Sequence, residues 1–232
     1  MLSKIADLLV EIPNAGGIAP RCKDYIVAST EPADIVLNWH PGIFERDSSL
    51  DEDGAAYLET GWLFYPRLLN YNGMMLHASA VEYNGKAYLF SGPSGIGKST
   101  HTRLFCEVFE GARVFNDDKP AIRYLDGRWF AYGTPWCGKD GINVNLKAEL
   151  GGICFLRRGE KNSIRRLTSA EAVAALMSQT IRNYITPGKL DKLVSVISQL
   201  VSDIPIFELT KLPDKEAATL SYNTMKAAED SL

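Results

Sequence analysis

The residues with the clearest chemical purpose are the eight that read Gly-Pro-Ser-Gly-Ile-Gly-Lys-Ser, from Gly92 to Ser99. They match the pattern G-x-x-x-x-G-K-[ST] at every fixed position. Glycines let successive backbone N–H groups surround an anion, and the positive end of a following helix adds to the attraction. Lys98 is suited to reach the β- and γ-phosphates, and Ser99 offers a hydroxyl to Mg²⁺. The loop therefore predicts binding of a nucleoside triphosphate with Mg²⁺.

The donor is taken as ATP, and the sequence leaves GTP and pyrophosphate open. The residues expected to contact it are Gly92, Pro93, Ser94, Gly95, Ile96, Gly97, Lys98, Ser99 and Thr100.

Two adjacent carboxylates, Asp117 and Asp118, follow the loop at the end of the next short strand. One can hold Mg²⁺, directly or through water, and the other can accept the proton of an attacking hydroxyl. Two like charges this close are expected to raise the pKa of one of them. The structural alternative is an Asx-rich turn before Pro120. His77, on the strand before the loop, is a candidate neighbour of the γ-phosphate or a structural residue.

A hairpin and a helix must position these groups. Segments 74–83 and 87–92 have strand character, and Asn84-Gly85 between them is a strong signal for a type I′ turn. A helix is expected over 98–109. The sequence therefore predicts that a hairpin leads directly into the phosphate loop.

The rest of the chain mixes hairpins with helices that can serve as crossovers, which predicts an α/β class with a mixed sheet. Further strands are expected at 24–28, 35–39, 113–115, 121–125, 128–132, 152–156 and 205–209. Further helices are expected at 54–70, bent or broken at Pro66, at 169–184, capped by Thr168 and Glu171, at 189–200 and at 214–228. We expect an N-terminal lobe of short strands and a helix over residues 1–70 and a catalytic domain over 71–232.

The composition and charge of the chain limit the classes of partner that we expect. The chain has 232 residues with 46% hydrophobic and 23% charged residues and a net charge of -3, ordinary values for a globular protein. They give no basic footprint for nucleic acid. The four cysteines form no C-x-x-C pair, which argues against zinc. Since neither a signal-peptide pattern nor an apolar run of membrane-spanning length is found, we expect a cytoplasmic protein without nucleic-acid or membrane partners.

A local basic cluster between residues 157 and 166 stands out against this acidic background. It has two interpretations, a solvated turn with a strand edge or a rim that binds phosphate or an acidic substrate. Its members are Arg157, Arg158, Lys161, Arg165 and Arg166.

The run from His77, Ala-Ser-Ala-Val-x-x-Asn-Gly and then Ser-Gly-Pro-Ser-Gly-Ile-Gly-Lys-Ser, followed by Asn-Asp117-Asp118, resembles the catalytic domain of the bacterial HPr serine kinase/phosphorylase. More distantly it is similar to the ATP-binding core of phosphoenolpyruvate carboxykinase. Both families place a hairpin before the phosphate loop and an acidic pair soon after the loop helix. The resemblance covers about residues 73–126, and it implies this kinase-like core for the fold.

The resemblance implies an ATP- and Mg²⁺-dependent kinase that moves the γ-phosphoryl group to a hydroxyl, such as a serine of a peptide or protein. It implies that Asp117 is the metal partner and Asp118 the base, or the reverse, and that His77 lies beside the reacting phosphate. Arg123 and Lys139 are further candidates for stabilising the transferred charge.

The chain also departs from those kinases. Thr100 stands where they carry an acidic residue, and their protein-substrate signature and N-terminal domain have no counterpart here. The acceptor therefore remains an unidentified peptide, protein or small molecule, and a homo-oligomer is left open.

Two other functions compete with a hydroxyl kinase. One is a nucleotide-binding regulatory protein without turnover, and the other is a small-molecule kinase or carboxykinase-like enzyme. The two carboxylates favour turnover, because nucleotide binding alone needs at most one of them.

Overall fold

A computed structural model describes residues 1–40, 51–181 and 185–229. Its helices are α1 (Glu52–Leu68), α2 (Lys98–Val108), α3 (Ser169–Gln179), α4 (Pro187–Asp203) and α5 (Lys215–Glu229), with 3₁₀ helices at Gly16–Tyr25 and Leu69–Tyr71. Its strands are β1 (Leu2–Ile5), β2 (Leu8–Glu11), β3 (Ile35–Val36), β4 (Gly73–Met75), β5 (Ala78–Tyr83), β6 (Lys86–Ser91), β7 (Arg113–Asp118), β8 (Ala121–Leu125), β9 (Arg128–Tyr132), β10 (Lys147–Arg158), β11 (Ser163–Arg166) and β12 (Ile206–Lys211). None of the helices in these described ranges has the length and apolar character needed to cross a membrane.

The larger sheet is mixed and runs in the order β4-β8-β9-β10-β6-β5-β7. β12 pairs with the second half of β10, and β11 pairs with β12. β6, β10 and β12 are mutually parallel, whereas β5 is antiparallel to both β6 and β7. The α/β class with a mixed sheet is therefore confirmed, as is the hairpin that leads into the phosphate loop.

The central strands are buried on both faces. Four consecutive residues of β5 and five of β6 are buried, which is typical of strands covered on both sides. One face packs against α3 and α4 through residues such as Leu176 and Leu193. The other packs against α2 and α5 through Phe105 and Met225. This two-sided burial holds rigid the strands that carry the chemistry.

The register of β5 brings the chemistry to one edge of the sheet. Ala78, at the start of β5, pairs with Ser91 at the end of β6 and with Asp118 at the end of β7. Because neighbouring strands lie about 4.8 Å apart, the ends of β6 and β7 are roughly 10 Å apart. His77 immediately precedes Ala78 and therefore lies between the phosphate loop and the acidic pair.

The first forty residues form a separate small sheet in the order β1-β2-β3. This confirms the small β-rich N-terminal element. Its core is shared with the rest of the chain, because Tyr25 and Leu37 belong to the same buried cluster as Phe64 of α1 and Trp136 beyond β9. The division at residue 70 stays a prediction, and residues on its two sides pack against each other.

Two N-terminal expectations are wrong. Residues 24–28 do not form a strand, because the 3₁₀ helix Gly16–Tyr25 extends through residue 25 and buries Ile18, Cys22 and Tyr25 along one side. The first two strands, β1 and β2, were not anticipated, since their turn uses Ala6 and Asp7 at positive φ instead of a glycine signal. The expected strand at 35–39 shortens to the two residues of β3.

Several boundaries also differ. α1 continues through Pro66 to Leu68, so the expected break is absent. The strand expected over 74–83 is interrupted at Leu76 and His77, which separates β4 from β5. β7 continues through the acidic pair to Asp118. The helix expected over 169–184 ends at Gln179, and residues 182–184 lie outside the described residues.

Trp136 links α1 to the loop that follows β9, and its loss should destabilise the protein. Its indole is fully buried, stacks on Phe64 at 4.7 Å between ring centroids, and donates a hydrogen bond to Thr60. We expect Trp136→Ala to lower the free energy of unfolding by about 3–5 kcal/mol, because a large cavity replaces the ring. Urea denaturation measures this.

Trp136→Phe is the matched control, since it keeps an aromatic ring on Phe64 and loses only the indole donor and part of the volume. Trp136→Phe should lower the free energy of unfolding markedly less than Trp136→Ala does. Equal stability of wild type and Trp136→Ala would contradict this packing.

Candidate active site

The phosphate loop has the backbone that only glycine adopts without strain. Gly92, Gly95 and Gly97 have φ of 145°, 76° and 95°. α2 begins at Lys98 immediately after the last of them, so its free N–H groups face the loop. The sequence thus produces a glycine turn followed at once by the positive end of a helix, a geometry that suits an anion.

Lys98 is held over this loop. Its side chain is only 8% exposed, and Nζ donates to the carbonyl oxygens of Gly92, at 3.1 Å, and Pro93, at 3.4 Å. Burial lowers the pKa of Lys98, and the charges of Asp118 and Asp117 partly oppose that effect. A buried cation with only carbonyl partners is well suited to an anionic ligand.

Ser99 and Asp117 meet as the sequence predicts. Ser99 Oγ donates to Asp117 Oδ2 at 2.8 Å, and Asp117 is only 7% exposed. Two oxygen ligands at this separation suit Mg²⁺, which binds through one or two protein oxygens and completes its shell with phosphate and water. In the described ranges no group of three or more His, Cys, Asp or Glu residues could hold a metal alone. The site therefore fits Mg²⁺ brought in with a nucleotide.

Asp118 is ionised and held on both carboxylate oxygens. His77 Nε2 lies 3.3 Å from Oδ1, and Lys119 Nζ contacts Oδ2. Burial would raise the pKa of Asp118, but His77 and Lys119 outweigh it and lower the pKa to about 2. Asp118 is therefore not the carboxylate whose pKa the acidic pair raises, because His77 and Lys119 contact it directly. Its φ of 115° is a strained value that persists only where neighbours enforce it.

His77 is fixed from three directions. Its backbone N–H donates to the carbonyl of Gln179 at 2.9 Å, and its carbonyl accepts from Ser91 Oγ at 2.9 Å. Its Nδ1 lies 3.3 Å from Gln179 Oε1, at the end of α3. The interruption between β4 and β5 therefore aims the ring at Asp118.

The loop after β9 packs against the acidic pair through its backbone. Gly138 N–H donates to the carbonyl of Asp117, and Cys137 forms an isolated bridge with Asp118. A Cβ on Gly138 would lie 3.3 Å from the Asp117 oxygen, which is a tight contact, so glycine favours this close approach. Lys139 follows directly and lines the same cavity as Lys98.

Sequence reasoning missed Lys119 and its support. Lys119 Nζ donates to Tyr57 OH and lies 4.9 Å from the centroid of that ring, while Arg21 covers the ring at 4.8 Å. Tyr57 OH in turn donates to the carbonyl of Cys137 at 3.1 Å. Burial lowers the pKa of Lys119, but Tyr57 and Asp118 outweigh it and raise the pKa. Adjacency to Asp118 was the one available signal for Lys119.

Arg123 lies away from these groups. It is almost fully buried, and its guanidinium donates to the carbonyl oxygens of Tyr71 and Ala6. Lys119 thus contacts the acidic pair, whereas Arg123 does not have the expected place near it. Arg123 instead joins the N-terminal sheet to β8.

Two cavities meet at His77 and Asp118. The phosphate cavity, of about 560 Å³, is lined by the loop together with the acidic pair, His77 and residues 138–140. The neighbouring pocket, of about 620 Å³, opens on the other side and is lined by His77, Asp118, Lys119, Ser178, Gln179, Thr180 and Ile181. An anion in the first cavity and a second molecule in the pocket would therefore face each other across these two side chains.

Comparison with known proteins gives a family and a fold neighbour. The family model of the SynChlorMet cassette protein ScmC matches residues 56–211. The structure titled "Structure of the Hpr(Ser) kinase/phosphatase from Coxiella burnetii" is similar over 68% of this chain and 95% of that chain, at 12% identity and a TM-score of 0.37. No curated protein sequence matches the chain. A correspondence this loose assigns neither an activity nor a residue role here.

The low pKa of Asp118 predicts a pH-dependent contribution to stability in metal-free protein. That contribution is fully present above the ordinary value of 3.8 and is lost as the pH falls through about 2. From about pH 5 to pH 2, with a chelator present, the wild type should lose about 2 kcal/mol more unfolding free energy than Asp118→Asn. Urea titrations at each pH measure this.

Asp126→Asn, in the turn between β8 and β9, is the control for losing a carboxylate. It should retain the acid dependence of the wild type. An Asp118→Asn variant with that same dependence would show that His77 and Lys119 do not hold the carboxylate ionised.

Proposed function

Because this chain belongs to the family of the SynChlorMet cassette protein ScmC, a name that states no reaction, we propose its function from the site itself. The function is ATP- and Mg²⁺-dependent transfer of a γ-phosphoryl group to a hydroxyl acceptor. One observation carries the proposal: the phosphate cavity and the neighbouring pocket share His77 and Asp118. A donor and an acceptor then meet at a carboxylate.

The loop binds the donor. Its inward N–H groups and the start of α2 take the β- and γ-phosphates, and Lys98 exchanges its carbonyl partners for phosphate oxygens. Ser99 and Asp117 would hold Mg²⁺, which neutralises charge on the transferring phosphate. Lys139 lines the same cavity and adds a second cation.

Asp118 positions the acceptor hydroxyl and takes its proton. The γ-phosphorus gains a bond to the acceptor oxygen and loses its bond to the β–γ bridging oxygen, which leaves ADP and a phosphate ester. A carboxylate with a low pKa is a weak base, yet phosphoryl transfer proceeds through a loose transition state in which the proton leaves late. An ionised and oriented carboxylate therefore meets the requirement.

Lys119 and His77 supply charge and orientation at the junction. Lys119 lines the neighbouring pocket and contacts Asp118, so it is close enough to balance charge that develops on the transferred group. His77 fixes the other oxygen of Asp118 and is itself fixed by Gln179. Preorganisation of this kind supplies most of the catalysis in phosphoryl transfer.

Lys98→Met tests the donor site. We expect labelled γ-phosphate transfer to acceptors in a cell extract to fall at least about 100-fold, because the one loop cation that reaches the phosphates is lost. Binding of a fluorescent ATP analogue should weaken as well. Lys86→Met is the matched control, since Lys86 is paired with Glu149 and Glu229 away from the loop.

Lys86→Met should transfer labelled γ-phosphate as the wild type does. If Lys98→Met binds nucleotide and transfers phosphate as the wild type does, the loop is not the donor site.

Asp117→Asn and Asp118→Asn should separate metal binding from transfer. Asp117→Asn should raise the Mg²⁺ concentration needed for ATP binding, since a ligand charge is lost. Asp118→Asn should keep Mg²⁺-dependent ATP binding and lose transfer by about 100-fold or more, because the neutral amide cannot accept the proton. Equilibrium binding and single-turnover transfer give the two readouts.

A wild type that binds Mg-ATP but phosphorylates nothing, with Asp118→Asn indistinguishable from it, would instead identify a nucleotide-binding regulatory protein. Phosphorylation confined to small molecules would identify a metabolite kinase.

A further inference from the structure

A third cavity, of about 490 Å³, continues the neighbouring pocket away from Asp118. The two cavities share Ser178 and Gln179, which form the last turn of α3. The third cavity runs on beside the first half of the phosphate loop to the end of β10. We call the two together the acceptor groove, because its near end opens on the proposed transfer site.

The walls of the acceptor groove suit an extended chain better than a compact metabolite. Ala175 and Gln179 lie four residues apart on one face of α3 and form one wall. Phe155 of β10, which belongs to the same core cluster as residues of α3, adds a buried apolar side chain to the lining. Asp118 and Phe155 are register partners across the two intervening strands β5 and β6, so they lie about 14 Å apart, and Arg157 follows two residues further along β10. The distance from Asp118 to Arg157 is therefore about 16 Å, the length of roughly five extended residues. A small hydroxyl compound would need only the neighbouring pocket, whereas an extended chain would use the third cavity as well.

The end of the acceptor groove beside Asp118 contains a buried hydroxyl that could bind a ligand. Thr180 lines the neighbouring pocket and is only 7% exposed, and its Oγ1 has no hydrogen-bond partner among the described residues. A buried hydroxyl without a partner is costly unless a ligand supplies one. A peptide backbone entering beside Asp118 offers both N–H and C=O groups to it.

The far end carries positive charge. Arg157, whose side chain is 69% exposed, contacts Glu208, and that carboxylate is also held by Arg165 at 3.1 Å. Arg158 donates to the carbonyl of Gly95 at 2.6 Å and adds a charge beside the same cavity. Glu208 is thus shared between two guanidiniums, which leaves Arg157 able to bind a further carboxylate.

We propose that the acceptor groove takes an extended peptide, with a hydroxyl residue beside Asp118 and an acidic residue about five positions away against Arg157. The inference rests on the proposed function, because that function places the hydroxyl at Asp118. In the step, the peptide oxygen bonds to the γ-phosphorus, its proton passes to Asp118, and the bond to the β–γ bridging oxygen breaks. The products are ADP and a phosphopeptide.

The test uses short peptides with one serine and a single varied residue five positions before or after it. We expect kcat/KM for labelled phosphate transfer to be about tenfold higher with Glu than with Gln at that position, and lower still with Lys. Arg157→Glu should reverse the order of the Glu and Lys peptides. Peptide binding, measured by fluorescence anisotropy with a non-hydrolysable ATP analogue, is followed in parallel.

Arg113→Glu is the matched control. Arg113 is likewise exposed and paired with a glutamate, Glu82, but it begins β7, whereas Asp118 ends it. The control should keep the preference for acidic peptides. A charge preference that Arg157→Glu leaves unchanged would overturn the inference.

Different results would contradict the peptide groove and the proposed phosphotransferase function. If free hydroxyl compounds are phosphorylated and no peptide is preferred, the peptide groove is wrong and the phosphotransferase stands. If acidic peptides bind in an Arg157-dependent way but no acceptor is ever phosphorylated, the groove stands and the transfer reaction is wrong.

Discussion

The site depends on the register of one short strand. β5 lies between β6 and β7, and its first residue, Ala78, is paired on one side with the residue before the phosphate loop and on the other with Asp118. A slip of one residue would turn every side chain of the strand to the opposite face. The pairing of Ala78 therefore decides whether loop, histidine and acidic pair share one space.

This arrangement brings several charged side chains close together, and residues from the N-terminal part of the chain hold them in place. Asp118 has a strained φ and lies among buried cations, so its position must be enforced from outside the sheet. Tyr57 of α1 does so by binding Lys119 and the carbonyl of Cys137 together. Arg21 reaches the same cysteine from the 3₁₀ helix. α1 and the 3₁₀ helix thus support the charged residues of the site.

Local signals in the sequence were sufficient to predict the hairpin before the loop, and the roles given to the phosphate loop and the acidic pair stay predictions. Each depends on neighbours in the chain: glycines in the loop, Asn84-Gly85 in the turn, and two carboxylates at a strand end. Ser99 contacts Asp117 because α2 begins and β7 ends at the same edge of the sheet.

What could not be predicted depends on distant parts of the chain. Tyr57 meets Lys119 only after α1 folds against the loop beyond β9, and no spacing in the sequence announces this. The low pKa of Asp118 depends on His77 and Lys119, which contact its carboxylate, and reasoning from the acidic pair alone considered neither of them. Arg123 was misplaced for a similar reason, since its partners Tyr71 and Ala6 come from the N-terminal side.

The central claim is that the loop, Ser99 and Asp117 converge on one metal–triphosphate complex. Electron paramagnetic resonance with Mn²⁺ in place of Mg²⁺ tests it most directly, because phosphorus couplings report which phosphates bind the ion. We predict one protein-bound Mn²⁺ that requires ATP, shows coupling to the β- and γ-phosphorus, and is lost in both Ser99→Ala and Asp117→Asn. A bound ion that appears without nucleotide, or whose spectrum neither substitution alters, would contradict the account.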